Sequence, residues 1–239
     1  LASLVGGLVV AFIFGSSAAS NWSLVLRFLN RSSFGITDPI YGQDVSYYVF
    51  TVPMLGAIRS WFLGVLILTL LAVGGIAFLR YTQGLTQRQF SLPRDVRGHL
   101  SLLGALTLGI FSFSYWLANY DLLYSERGSF FGAGRTDLFA QRPANFILLG
   151  ISAIAALLLL WNIFARRMRA LLVTIGIQVA AAVVVGLLFP VAYQSFFVRP
   201  SEFRQERPYI ENNINLTRQA YGLDKIEVGL KMIGRQHKT

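Results

Sequence analysis

The sequence predicts an all-α integral membrane protein, a bundle of five transmembrane helices with interfacial and extracytoplasmic helices and the start of an extracytoplasmic domain. Three observations carry this reading. Only 13% of the 239 residues are charged and 54% are hydrophobic, whereas a soluble domain carries about 25% charged residues. Five stretches lack Asp, Glu, Lys and Arg altogether, and each has the roughly 20 apolar residues that a helix needs to cross a hydrocarbon core about 30 Å thick. The charges between those stretches also alternate in character. Segment 80–97 holds Arg80, Arg88, Arg94 and Arg97 against the single acid Asp95, and 165–169 holds Arg166, Arg167 and Arg169 with no acid. Segment 21–53 balances Arg27 and Arg31 against Asp38 and Asp44, and 121–143 balances Arg127, Arg135 and Arg142 against Asp121, Glu126 and Asp137.

The spans fall at about 1–20, 60–79, 100–120, 145–164 and 170–189, making residues 1–190 the bundle and 191–239 an extracytoplasmic or lumenal tail, the truncated start of a further domain. Lys and Arg accumulate on the cytoplasmic side of membranes, so loops 80–97 and 165–169 are expected there. The net charge of +10 has the same origin, and no nucleic-acid partner is expected. Between the first two spans, Asn21 to Asn30 reads as a short interfacial helix. Asp38-Pro39 with Gly35 and Gly42 carries turn chemistry, and Tyr47, Tyr48 and Phe50 suit an aromatic belt. Pro190 is expected to end the fifth span, because its ring cannot continue the hydrogen-bond ladder. Beyond it, Pro208 is expected at the first position of an amphipathic helix whose stripe is Ile210, Ile214, Thr217 and Tyr221, with Gly222 as its stop. Ile226, Val228, Leu230 and Met232 alternate as a strand does. Both ends look cut, with more spans expected before and a folded domain after.

Three segments carry a resemblance. Thr37 to Asp44 (TDPIYGQD), Tyr120 to Gly128 (YDLLYSERG) and Glu206 to Leu223 (ERPYIENNINLTRQAYGL) resemble the bacterial multi-pass membrane proteins of uncharacterised protein family 0182. The resemblance covers nearly the whole chain. It implies about seven N-terminal spans followed by a large extracytoplasmic domain, of which this chain matches the later spans and the domain's start. No activity comes with it.

The candidate sites are sparse. No cysteine is present, so thiolate metals, Fe–S clusters and thiol catalysis are excluded. No ionisable residue lies within the five spans, although coupled transport commonly leaves one. Gln178 is the one strongly polar side chain near a span centre, and interhelical hydrogen bonding is its ordinary use. Gly74-Gly75 is the place where a discontinuous helix would expose backbone to a substrate. His99 is a candidate ligand for a single haem or pigment, set against an interfacial polar histidine; His237 lies in the tail. Asp121, Glu126 and Asp137 are candidates for a hard cation, set against pairing of Asp121 or Glu126 with Arg127 or Arg135. Gly128 to Gly134 reads as a tightly turned loop. Small residues at Gly6, Gly7, Ala11 and Gly15, with Gln178, are read as helix-packing positions, and Gly104 and Gly109 show the same spacing less strictly. No cofactor is expected and no catalytic residue is assigned. The expected function is a multi-pass membrane scaffold or accessory subunit that anchors an extracytoplasmic domain in a bacterial inner membrane or thylakoid. Its partners would be the lipid bilayer and other membrane subunits or segments of its own. The alternatives are a transporter or permease component, and a membrane enzyme acting on an envelope lipid or glycan through carboxylates among Asp121, Glu126, Asp137 and Glu202.

Overall fold

The computed structural model describes residues 2–81, 93–128, 130–165 and 167–223. Arg88, Arg166, His237 and the alternating segment 226–232 lie outside the described residues, as do the surroundings of Gly6. The described residues are helical apart from short connections and one isolated bridge between Thr37 and Asp44. The helices are α1 (Ala2–Ser20), α2 (Trp22–Leu29), α3 (Val52–Tyr81), α4 (Arg94–Asp121), α5 (Arg142–Ala165), α6 (Met168–Ala181), α7 (Phe189–Tyr193) and α8 (Glu202–Ala220). Single π-helical turns lead into α3 (Tyr47–Thr51) and α5 (Asp137–Gln141), and two more join α6 to α7 (Ala182–Leu188) and follow α7 (Gln194–Val198).

Among the described residues, four continuous helices are long and apolar enough to cross a membrane: Tyr47–Arg80, Arg94–Tyr124, Asp137–Ala165 and Met168–Ala220. At 1.5 Å per residue the first is about 50 Å long and the last about 80 Å, well beyond a hydrocarbon core. Each therefore projects past any bilayer it crosses. Their outward faces are apolar: Leu71, Leu157, Trp161, Phe164, Leu172 and Leu187 are all largely exposed. A water-soluble monomer rarely exposes contiguous apolar area on this scale, whereas lipid is a fitting neighbour for it.

The core lies between α4 and α5. Ala105, Leu108, Ala155, Ala156 and Leu159 are buried there with Leu171 of α6. Gly104 permits the approach, since a Cβ at that position would stand 2.9 Å from Leu159 Cδ1. The bundle has two chemically distinct ends. Residues 38–49, 123–128, 130–133 and 209–216 meet at one, rich in tyrosine and phenylalanine. The start of α4 and the α5–α6 link meet at the other, rich in arginine.

Pro190 does not end the last span. It is buried inside α7, and the helix runs on. A helical proline removes one N–H and crowds the carbonyl four residues earlier, here that of Gly186. The π-helical turn at Ala182–Leu188 widens the helix at that point, and Gln141 Nε2 reaches the Gly186 carbonyl at 3.5 Å. Neighbouring side chains and local π adjustments are the general means by which membrane helices tolerate proline. Pro208 likewise sits within α8 rather than at its first position. Gly222 is the stop: at φ +66° its N–H bonds the carbonyl of Gln219 at 3.1 Å. The helix through Gly74-Gly75 is unbroken, and a Cβ at either glycine would meet open space.

Candidate functional site

The connection from α2 to α3 is built around two aspartates. Asp38 accepts the Tyr41 N–H at 2.6 Å and the Tyr48 hydroxyl at 3.1 Å, while its carbonyl accepts the Gly42 N–H at 2.9 Å. Gly42 at φ +68° closes that turn in the left-handed region, which costs glycine nothing. Asp44 accepts the Ser33 hydroxyl at 2.5 Å and the N–H groups of Phe34, Gly35 and Ser46 at 2.8–3.1 Å. Those bonds favour the charged form and hold its carboxyl well below the usual range.

This folded connection lies on the end of α4. Tyr41, Tyr47, Tyr48 and Trp116 all pack on the Tyr120 ring, with centroids 5.2–6.1 Å away. The Tyr41 hydroxyl donates to the Asn119 carbonyl. Burial pushes the phenols of Tyr41 and Tyr47 up to about 12 and raises that of Tyr48 further, with the Asp38 carboxylate adding to the last. All three are neutral hydrogen-bonding groups at physiological pH. Tyr47 and Tyr48 thus pack on the Tyr120 ring at the end of α4. The helix they begin starts thirteen residues before the apolar run at Ser60.

The α4–α5 connection carries two carboxylates that are almost fully buried, Asp137 at 2% exposure and Glu206 at 1%. Asp137 Oδ2 accepts the Gly134 N–H at 3.1 Å, and its Oδ1 lies 3.5 Å from Arg127 Nη1. Glu206, on α8, accepts the Arg135 N–H with both oxygens, at 3.0 and 3.2 Å. The two carboxylates satisfy the N–H groups of Gly134 and Arg135, which lead into the helix that begins at Asp137, and their negative charge suits that end of the helix dipole. Glu206 nevertheless has its carboxyl raised, chiefly because burial disfavours the charge. A Cβ at Gly134 would stand 2.9 Å from Glu206 Oε2, so a larger residue there would displace the Glu206 carboxylate.

From Arg127 a row of amides runs inward. Arg127 Nη2 donates to Gln141 Oε1 at 3.1 Å, Gln141 Nε2 donates to Asn145 Oδ1 at 3.2 Å, and Asn145 Nδ2 reaches Asn119 Oδ1 at 3.4 Å. Thr136 donates its hydroxyl to Gln194. Deeper still, Gln178 Nε2 donates to Ser152 Oγ at 2.8 Å, joining α6 to α5. Beside this site, a cavity of about 220 Å³ opens between the α2–α3 connection, the α4–α5 connection and α8, with Ile40, Val45, Tyr48, Phe130, Tyr209 and Leu216 among its walls.

The sequence-predicted residues are distributed unevenly over this arrangement. Asp137 is at the centre of the site and Gln178 bridges two helices. Asp121 and Glu126 do not join Asp137; Arg127 takes Asp137, the Arg135 backbone takes Glu206, and Arg59 is the cation facing Asp121. Among the described residues no group of three His, Asp or Glu side chains is placed to hold a metal ion. His99 is exposed near the start of α4. Gly7, Ala11 and Gly15 are exposed on α1, and a Cβ at Gly7 or Gly15 would meet no described residue. The expected stripe of α8 is not its inward face either: Ile214 and Tyr221 are exposed. Glu206, Tyr209, Asn213 and Leu216 face inward, with Asn213 Nδ2 donating to the Phe131 carbonyl at 2.6 Å. This face follows the same helical spacing but is polar, so a search for apolar positions passes over it. The signal was a Glu-x-x-Tyr-x-x-x-Asn pattern within the segment that carried the family resemblance.

Residues 1–236 match the family described as Uncharacterised protein family (UPF0182). The chain belongs to that family. A UPF0182 protein of Desulforamulus reducens is 37% identical over 95% of the chain, one of Thermobifida fusca 37% over 94%, and one of Nostoc 33% over 92%. The chain spans 22–24% of the length of these relatives. No solved structure matches it.

Proposed function

We propose that this UPF0182 segment is a multi-pass membrane scaffold, an accessory part of a larger assembly whose long last helix carries the polypeptide beyond the bilayer. In this reading α1 is a fifth span, the arginine end is cytoplasmic, and the aromatic end with α8 is extracytoplasmic, in a bacterial inner membrane or thylakoid. The observation that carries it is the continuous helix Met168–Ala220, clamped at its far part by Glu206 onto the Arg135 N–H just before the helix that begins at Asp137. A helix that was only a membrane anchor would gain nothing from that second attachment. A rigid strut fixed both within and above the bundle sets the position of whatever follows it. The polar groups at mid-depth favour the same reading over transport, since Gln178 spends its amide on Ser152.

The full-length protein solubilised from its native membrane tests this. A defined heteromeric or homomeric assembly, retained by the intact protein and lost with Glu206→Ala, is the expected result. A monomer with no stoichiometric partner, or ion flux through reconstituted vesicles that Gln178→Leu abolishes, would overturn it. The chain lacks cysteine, so single cysteines at Phe131 and Phe164, probed with an impermeant maleimide on intact cells, read the sidedness: labelling at 131 alone is expected.

A further inference from the structure

A cavity of about 520 Å³ lies at the arginine end, lined by Arg94 and Arg97 of α4, Phe164 and Ala165 at the end of α5, and Arg167 before α6. The bias of arginine toward one side of a membrane explains why these residues are on this side. It does not explain why residues about seventy positions apart line one cavity with no acid among its described walls. Asp95, in the same turn as Arg94, is not part of the lining.

The cavity is also built rather than accidental. Asn162, 2% exposed, donates to Ser101 Oγ at 2.9 Å and to the Arg167 carbonyl at 3.1 Å, and accepts the Arg167 N–H at 3.0 Å. Ser101 in turn donates to the Arg97 carbonyl at 2.8 Å. A buried amide and a buried hydroxyl thus fix the backbones of Arg97 and Arg167 relative to each other. Guanidinium groups that share a cavity repel one another unless an anion intervenes, and those of Arg94 and Arg167 can match phosphate oxygens bidentately. One wall continues into apolar surface that faces outward, with Phe164 85% and Trp161 75% exposed.

We infer that this cavity binds the phosphate headgroup of an anionic phospholipid, whose acyl chains lie along Phe164 and Trp161. The inference rests on the membrane reading of the bundle. A basic pocket between membrane helices on the cytoplasmic side is suited to such headgroups, and the apolar wall selects a lipid over a free phosphate.

The test is lipid titration of the full-length protein in detergent, following thermal stability and retained lipid by native mass spectrometry. The probes are phosphatidylglycerol, phosphatidylcholine and inorganic phosphate. Phosphatidylglycerol is expected to bind and stabilise. The double variant Arg94→Gln, Arg167→Gln should bind it about thirtyfold more weakly, given the worth of one basic residue near an anionic headgroup, while Arg59→Gln at the opposite end leaves binding unchanged. Equal binding of phosphatidylcholine, equal protection by inorganic phosphate, or undiminished binding by the double variant would each overturn the inference. Because both variants keep Asn162 and Ser101, they keep the scaffold; a protein that dissolves without detergent would instead overturn the membrane reading itself.

Discussion

The two ends of the bundle solve the same problem with opposite chemistry. At the aromatic end, carboxylates are buried and paired within the chain: Asp38 with Tyr41 and Tyr48, Asp137 with Gly134 and Arg127, Glu206 with Arg135. At the arginine end the buried groups are neutral, Ser101 and Asn162, and the charges are guanidinium groups around a cavity. A carboxylate is compact and accepts several backbone N–H bonds, so it can close a helix start or a turn from within. A guanidinium carries five donors on a long stem and has no use for N–H groups. One end therefore turns its carboxylates onto its own polypeptide, whereas the other gathers guanidinium groups around a cavity. The difference makes one end a clamp and, on the inference above, the other a receptor.

The largest effect should come from the neutral buried amide. Asn162→Leu removes three hydrogen bonds and leaves the Arg167 N–H without its acceptor, while Ser101 keeps its bond to the Arg97 carbonyl and the Arg167 carbonyl keeps the Leu171 N–H. A buried hydrogen bond contributes about 1 kcal/mol and an unsatisfied buried group costs about 1–3 kcal/mol, so a loss of about 3 kcal/mol is expected, read as a lowered unfolding midpoint in detergent. If the midpoint held, the arginine end would not depend on this amide.

Next comes the clamp. Gly134→Val places a methyl group where the Glu206 carboxylate sits and should cost about 1–2 kcal/mol, the range for a displaced buried acceptor. Limited proteolysis should then cut near residues 199–204 while the arginine end stays protected. Cleavage at both ends alike would mean that the two are coupled rather than independent.

The pH response sharpens the contrast further. The Glu206 carboxyl is raised above its ordinary 4.5 in the folded chain, so the folded state binds the proton more tightly than the unfolded state. Its contribution is fully present below pH 4.5 and is lost as pH rises through the elevated value. The native protein should lose protection of α8 across that window relative to Glu206→Gln, which cannot titrate. Parallel profiles for the two proteins would refute the assignment. The smallest effect belongs to the middle of the bundle, where Gln178→Leu should cost about 0.6 kcal/mol, the average for a hydrogen bond between membrane helices. A loss several times greater would give Gln178 more than a packing role.

The helices were legible in the sequence wherever composition alone decides. An uncharged run of twenty residues has few other solutions, and the turn at Asp38–Gly42 follows from residues whose own side chains and dihedrals build it. What escaped were features that depend on a second segment. Pro190 reads as a terminator because a lone helix cannot replace the bond it loses; Gln141 and the π-helical turn, one of them from another helix, make the continuation possible. Glu206 reads as one more charge on an exposed helix until Arg135 and Gly134 are placed against it. Nor does the sequence show that Tyr47 and Tyr48 rest on the Tyr120 ring.

The sequence by itself determined that long stretches of this chain favour lipid and where its charges gather, because the cost of burying a charge is a property of each residue. Only the tertiary structure decided which charges are spent. That depends on whether a carboxylate finds an N–H or a guanidinium finds an anion, and those partners lie tens of residues apart in the chain, within hydrogen-bonding distance only once the helices have packed.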